Sequence, residues 1–313
     1  MLGDDSVRRL LAIGAAMSAE RDLDRLLEMI LLSAKELTRA DGGTLFLATD
    51  DGRLEARMLH TSSLGYAMGG STGRAVDFPP LAIDDSRLAA AGCARDGRTI
   101  VIDDVYADEA FDFVGSRRFD AENGYRTRSL LCTPMRNLAG ETVGVIQLIN
   151  ATDPVSGEVA PFPPDAVMLA ESLASQGAVS IDNRRLIDQL GRLFEAFVDT
   201  INRAVDEKSP YTGGHCRRVP ELTMMLAEAA AAATHGPLAA FELSEADRYE
   251  LGIAAQLHDC GKITTPVHVV DKATKLETIF DRIALVEARF ETARRDVEIA
   301  FLSGTISASA RDA

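Results

Sequence analysis

Tryptophan is absent from the 313-residue chain, and aromatic residues make up only 5% of it, so its cores must be built from Leu, Ile, Val, Ala and Met. Cysteine is scarce as well. Cys93, Cys132, Cys216 and Cys260 lie far apart, with none of the paired spacings of a zinc site. At that density a disulfide framework is excluded as the organising device, and a reducing cytoplasm is the expected compartment. No run approaches the roughly 18 uninterrupted apolar residues of a membrane span. The opening Met1-Leu2-Gly3-Asp4-Asp5 has no basic stretch followed by an apolar core, so no signal peptide is expected. Positive charge is in deficit: Lys plus Arg number 33 against 48 for Asp plus Glu, a net charge of −15. A surplus of that sign repels phosphate backbones and anionic surfaces, so neither nucleic acid nor membrane is an expected partner. It does not forbid a small anionic ligand at a local metal or basic pocket.

What is present is a globular balance of 46% apolar and 26% charged residues, over a length that suggests about two domains. Leu23, Leu26, Leu27, Ile30, Leu31, Ala34 and Leu37 recur at helical spacing, so the first forty residues read as helix. Asp41-Gly42-Gly43 supplies the backbone freedom of a left-handed cap. Thr44 to Ala48 and the stretch through Leu54, Ala56 and Met58 read as strands joined at Asp50-Asp51-Gly52. Residues 61–98 look like loops with short helical pieces. Strands return at Thr99–Ile102, Ser129–Cys132 and Thr142–Ile149, which makes an α+β domain over residues 1–160.

From Ala166 to Glu207 there is no proline and no strand-like run, so residues 161–207 are expected to form a connecting helix. Leu186, Leu190, Leu193, Phe197, Ile201 and Ala204 follow spacings of 4, 3, 4, 4 and 3. That is close to a heptad seam and suggests the spine of a parallel homodimer; packing on its own domain is the other reading. Residues 208–313 read as all-helical. Helices are expected over Val219–Ala233, Glu245–Leu257 and Ile279–Phe301, with an irregular tail from Ser303.

Chemistry concentrates in that helical part. His258 and Asp259 stand together at the end of the apolar stretch Leu251–Leu257, followed by Cys260-Gly261-Lys262. An imidazole and a carboxylate at a helix end offer a nitrogen and an oxygen to one divalent metal, which can activate water and neutralise phosphoryl charge. Lys262 could set a compact positive charge on a phosphate oxygen. His215, opening the first helix of this part, is a third ligand candidate if the two helices pack. Cys216 and Cys260 flank these ligands and read as small hydrophobes rather than redox groups.

The stretch Lys208-Ser209-Pro210-Tyr211-Thr212-Gly213-Gly214-His215, with Arg218-Val219 after it, and then His258-Asp259-Cys260-Gly261-Lys262-Ile263-Thr264-Thr265-Pro266, resembles the start of an HD-GYP domain. That branch of the HD phosphohydrolases hydrolyses cyclic di-GMP at a site of two or three metals, often iron or manganese. The resemblance implies His215, His258 and Asp259 as metal ligands, with Asp259 bridging, and Asp259 and Lys262 as the catalytic pair, Lys262 on the substrate phosphate. Asp271-Lys272-Ala273-Thr274-Lys275-Leu276 matches the family's lysine-containing segment in outline. The family's later histidine pair and Gly-Tyr-Pro motif do not occur; after Asp259 the only histidine is His268. Tyr211 stands where trinuclear members carry a glutamate. The expectation is therefore a C-terminally incomplete domain with little turnover.

The N-terminal part resembles a GAF domain. Phe119 to Met135 and Gly144-Val145-Ile146-Gln147-Leu148-Ile149-Asn150 are similar to the ligand-binding GAF domains of phosphodiesterases and bacterial adenylate cyclases. The Asn-Lys pair associated there with cyclic-nucleotide binding is incomplete, since Ala151 follows Asn150. The resemblance implies an antiparallel sheet flanked by helices and a small ligand whose identity and contact residues it does not assign. Together the two resemblances imply a cytoplasmic signalling protein in which a GAF sensor is coupled to an HD-GYP-type phosphodiesterase domain. The alternative is a non-catalytic GAF ligand-binding and dimerisation module with a remnant helical docking domain.

Overall fold

Residues 4–208, 214–270, 272, 274–277 and 280–312 are described by the computed structural model of the chain, which divides into two compact units, Met1–Gln189 and Leu190–Ala313. The first unit opens with two helices, α1 (Asp4–Ala19) and α2 (Leu23–Thr38), where the sequence suggests one. The break comes from Asp22, whose carboxylate accepts the Arg25 N–H at 2.8 Å and so starts a new helix. The left-handed cap after α2 is Arg39, at φ 56°, not the glycines that follow. Gly42 and Gly43 lie inside strand β1 (Ala40–Ala48). They are needed there for space: a Cβ on Gly43 would come within 2.9 Å of both Leu148 and Leu31 side chains.

The remaining strands are β2 (Arg53–Thr61), β3 (Tyr66–Gly69), β4 (Leu81–Ala82), β5 (Ile100–Ile102), β6 (Leu130–Arg136), β7 (Thr142–Thr152) and β8 (Val159–Ala160). They form one sheet in the order β3-β2-β1-β7-β6-β5, with β4 on β2 and β8 on β7, and every pairing is antiparallel. Alternation along the strands feeds two cores. Leu45, Leu47, Leu131, Ile146 and Leu148 point to one face. There they meet Leu27, Ile30 and Leu31 of α2 and Ala170, Leu173 and Ala174 of α5 (Pro164–Lys208). Phe46, Leu130, Cys132 and Val145 point to the other face, covered by α3 (Ala89–Asp96) through Ala90, Cys93 and Ala94. Gly177 lets α5 approach α2 closely, since a Cβ there would lie 3.1 Å from Ile30. A further helix, α4 (Val114–Asn123), precedes β6.

The proline-free stretch after Phe162 is a single helix of 45 residues, α5. Its later residues begin the second unit, which is all-helical: α6 (His215–Ala231), α7 (Glu245–Leu257), α8 (Val267–Val270), α9 (Ile283–Leu302) and α10 (Ala308–Arg311). A capping box starts α7, with Ser244 and Asp247 each taking the other's backbone N–H. Ser307 caps α10 inside the tail expected to be irregular. Among the described residues, the buried hydrophobics of this unit are Val198, Val205, Cys216 and Ala255. Ile283, Val286, Phe290 and Val297 of α9 are exposed, and Ile279 lies outside the described residues. None of the described helices is long and apolar enough to cross a membrane.

Candidate metal centre and ligand cavity

Gly214, held in a left-handed turn at φ 74°, precedes α6 and places His215 as its first residue. His258 is the residue that closes α7, and Asp259 follows it before a 3-10 turn over Cys260–Ile263. With α6 against α7, the two imidazoles meet edge to face, their centroids 5.2 Å apart. His258 Nε2 lies 3.2 Å from His215 Nε2. Asp259 Oδ2 lies 3.3 Å from His215 Nε2 and 3.2 Å from His258 Nε2. Among the described residues this is the group of three histidine, cysteine or acidic side chains whose ligand atoms converge.

The triangle can be tested against a metal directly. Ligand atoms about 2.1 Å from an ion and at right angles to one another are roughly 3 Å apart, close to the three edges observed. Two histidines and one carboxylate on one face is also a donor set that suits iron(II). His258 adds a second observation: its Nδ1–H donates to the Ala255 carbonyl at 2.6 Å. That bond fixes the tautomer and leaves the Nε2 lone pair facing the triangle, as a histidine ligand requires. The residues therefore fit a divalent ion.

Lys262 does not stand free. Its ammonium donates to Asp259 Oδ2 at 2.6 Å, the same oxygen that faces both histidines. Burial alone would push the Asp259 carboxyl up. The Lys262 hydrogen bond and the charges of His258, Lys262 and His215 outweigh it and hold the carboxyl below the usual range. Asp259 is thus a carboxylate at neutral pH, the form a metal needs. Of the flanking cysteines, Cys216 is buried, and burial followed by the neighbouring Asp206 carboxylate pushes it up to about 11. Cys260 is exposed, so its reading as a core hydrophobe does not hold; it sits in the solvent-facing turn between Asp259 and Lys262. The Ser209–Gly213 stretch, with Tyr211, and Asp271 and Ala273 lie outside the described residues.

A second candidate site, for which the sequence offered no residues, is a cavity of about 490 Å³ on the α3 face of the sheet. Its floor is a row of cross-strand neighbours, Leu59, Thr44 and Gln147, on β2, β1 and β7. Two edge-to-face pairs form its walls, Phe46 with Phe78 at 6.4 Å and Tyr66 with Phe119 at 6.3 Å. The polar members of the outward row, Thr44 and Gln147, interrupt otherwise apolar strands, and that interruption is the signal sequence reading passed over. A buried network braces the far end. Asp120 accepts from Tyr106 Oη at 2.9 Å, from Thr127 N at 2.7 Å and from Thr127 Oγ1 at 2.9 Å. Asn150, in the left-handed region at φ 57°, accepts from Arg128 N and donates to Tyr125 Oη and the Arg126 carbonyl.

Comparison with known proteins follows the same division. Residues 22–181 match the GAF domain, just over half of the chain. The chain belongs to the GAF family. An HD domain, matched over residues 212–300, follows the GAF domain. The chain is similar to the cGMP-specific 3',5'-cyclic phosphodiesterase of Drosophila sechellia, 32% identical over 136 residues, which cover 43% of this chain and 11% of that protein. It is also similar to the dual 3',5'-cyclic-AMP and -GMP phosphodiesterase 11A of Takifugu rubripes, 31% identical over 119 residues, covering 37% and 12%. It thus spans little more than a tenth of the length of these relatives. Among solved structures, a similar one is the GAF domain of a phosphoenolpyruvate-protein phosphotransferase from Coxiella burnetii. The identity is 17% and the TM-score 0.45, with 59% of this chain and 96% of that one covered.

Proposed function

We propose that this GAF–HD protein is a signalling protein whose GAF cavity takes a small ligand and whose HD domain, of the HD-GYP type, holds a divalent ion and recognises cyclic di-GMP. The observation that carries this reading is the His215–His258–Asp259 triangle, with His258 fixed by Ala255 so that its free nitrogen faces inward. Iron or manganese is the ion proposed, and when bound it supplies Lewis-acid charge to a phosphoryl group. The chain's own residues do the rest. Asp259 enters as a carboxylate, and His258 is pre-oriented. Lys262 holds a positive charge 2.6 Å from the ligand oxygen, within reach of a phosphate bound at the triangle. We assign Asp259 and Lys262 as the catalytic pair on this reading. One triad assembles among the described residues, so low turnover is expected.

The second reading, a non-catalytic ligand-binding and dimerisation module, is supported by a different observation. Leu186, Leu190, Leu193 and Phe197 of α5 are each 51–67% exposed in the single chain, at the spacing of a self-complementary seam. A homodimer through α5 is compatible with both readings. The relatives named above as cyclic-nucleotide phosphodiesterases support the sensory role of the GAF cavity.

The test is Mn²⁺ binding by titration calorimetry together with anaerobic cyclic di-GMP hydrolysis, on the purified chain and on Asp259→Ala and His258→Ala. Both substitutions are expected to weaken Mn²⁺ at least a hundredfold and to abolish any turnover. Binding that is unchanged in both variants would overturn the metal reading. Metal bound without turnover would favour the sensory or docking role.

A further inference from the structure

The last turn of α5 ends in two side chains that reach the two halves of the metal triangle. Lys208, the final residue of α5, donates its ammonium to three backbone carbonyls: Lys262 at 2.9 Å, Ile263 at 2.5 Å and Thr265 at 2.7 Å. An ammonium has three N–H donors, so these bonds saturate it, and Lys208 has nothing left to offer a substrate. The carbonyls it takes lie at and just beyond the end of the Cys260–Ile263 turn. Such terminal carbonyls have no partner within a helix and favour a cation. Two residues earlier, Asp206 Oδ2 accepts the N–H of Gly214 at 3.2 Å, one residue before His215. Two residues apart on a helix is about 200° of rotation, so Asp206 and Lys208 work on different sides of the same turn.

From this we infer that Lys208 is a positioning residue which, with Asp206, clasps the His215 segment and the His258–Lys262 segment to the end of α5 and so sets the spacing of the triangle. The inference rests on the metal reading for its functional meaning but not for its structural content. The triangle's edges are 3.2–3.3 Å, and ligand sets of this kind tolerate displacements of only about half an ångström. Because the two holds lie on different sides of one turn, rotation of the α5 terminus, or release of either hold, moves Lys262 and Asp259 relative to His215. On the metal reading, the clasp makes metal affinity depend on the order of that helix end.

The experiment compares the whole 313-residue chain with Lys208→Met and with Arg203→Met, which removes a charge from an exposed position of the same helix, where it pairs with Asp199. Two readouts are taken: hydrogen exchange of residues 259–265 without metal, and Mn²⁺ affinity. In K208M the segment is expected to exchange at least tenfold faster and Mn²⁺ to bind at least tenfold more weakly, with R203M unchanged in both. K208M that exchanges like the wild type overturns the clasp. A wild-type chain that binds no Mn²⁺ while K208M still loosens residues 259–265 refutes the metal reading and leaves the clasp standing. The wild type provides a test that does not depend on a variant folding. In acetic-anhydride footprinting Lys208 is expected to react at least tenfold more slowly than the exposed Lys275, and equal reactivity overturns the proposal.

Discussion

The buried ammonium of Lys35 offers a stability test whose sign and pH window both follow from its surroundings. Lys35 lies on α2 with 6% of its surface exposed. It donates to Ser62 Oγ at 2.9 Å and contacts His60 Nδ1. Burial lowers its pKa from 10.5 to about 8, against the opposing pull of Asp41. His60 is lowered in turn by burial and by the Lys35 charge, so its ring is neutral at pH 7 and Nδ1 acts as the acceptor. A base whose pKa is depressed on folding binds its proton more weakly in the native state. Stability therefore rises with pH between about 8 and 10.5, where the unfolded chain holds the proton and the native one has released it. A drop of that size corresponds to about 3 kcal/mol. Below pH 8 the native protein carries the full cost of the buried charge. Lys35→Met removes the charge and keeps the length, and Ser62 is exposed enough to bond water instead. The expected gain is about 1–3 kcal/mol at pH 7, shrinking to nothing by pH 10.5. The assay is urea denaturation of both proteins from pH 6.5 to 10.5, followed by near-ultraviolet circular dichroism of the GAF tyrosines. A K35M chain less stable than the wild type at pH 7, or an advantage that does not fall with pH, would refute the reasoning.

Two further outcomes are expected. Asp120→Ala leaves the buried Thr127 N–H and hydroxyl without their acceptor and should lower GAF stability by about 2–4 kcal/mol in urea; a loss under 1 kcal/mol would show that water replaces the carboxylate. Leu193→Glu puts a charge at the centre of the α5 seam, where Leu193 is 67% exposed in the single chain. Light scattering at micromolar concentration should show a dimeric wild type and a monomeric variant, and equal masses would remove α5 as the dimer spine.

The central strands and long helices were legible because their patterns are local. Leu45, Phe46 and Leu47 alternate between two cores, and the run of Leu and Ile through α2 keeps one helical stripe. The short strands β3, β4 and β8 were not, since they lack a β-branched run like Ile100-Val101-Ile102 of β5 and exist only through pairing with β2 and β7. Gly42 and Gly43 were misread for a related reason. Their sequence is that of a cap, but the close approach of Leu31 and Leu148 decides their place, and that contact is long-range. In the helical unit the candidate ligands His215, His258 and Asp259 were legible from two short motifs, and the geometry brings all three together. The partner of Lys262 was not. Three residues along the chain from Asp259, it could have faced a substrate or its own neighbour, and the 3-10 turn over Cys260–Ile263 folds it back onto Asp259.

Charge divides in the same way into a global and a local part. A net charge of −15 acts on an approaching polyanion over the whole surface, and salt screens it within about 8 Å. A small ligand at the triangle meets something else. Beside Asp259 stands the Lys262 ammonium, 2.6 Å from its Oδ2, while the Asp206 carboxylate lies at Gly214, next to His215. Inside a screening length such near groups outweigh the distant surface charge. The acidic surface repels long polyanions, whose charges extend beyond any one site, whereas a single ammonium such as Lys262 acts on what lies beside it. Net charge therefore bears on partner size, and it leaves open the chemistry of the site that the two histidines and Asp259 define.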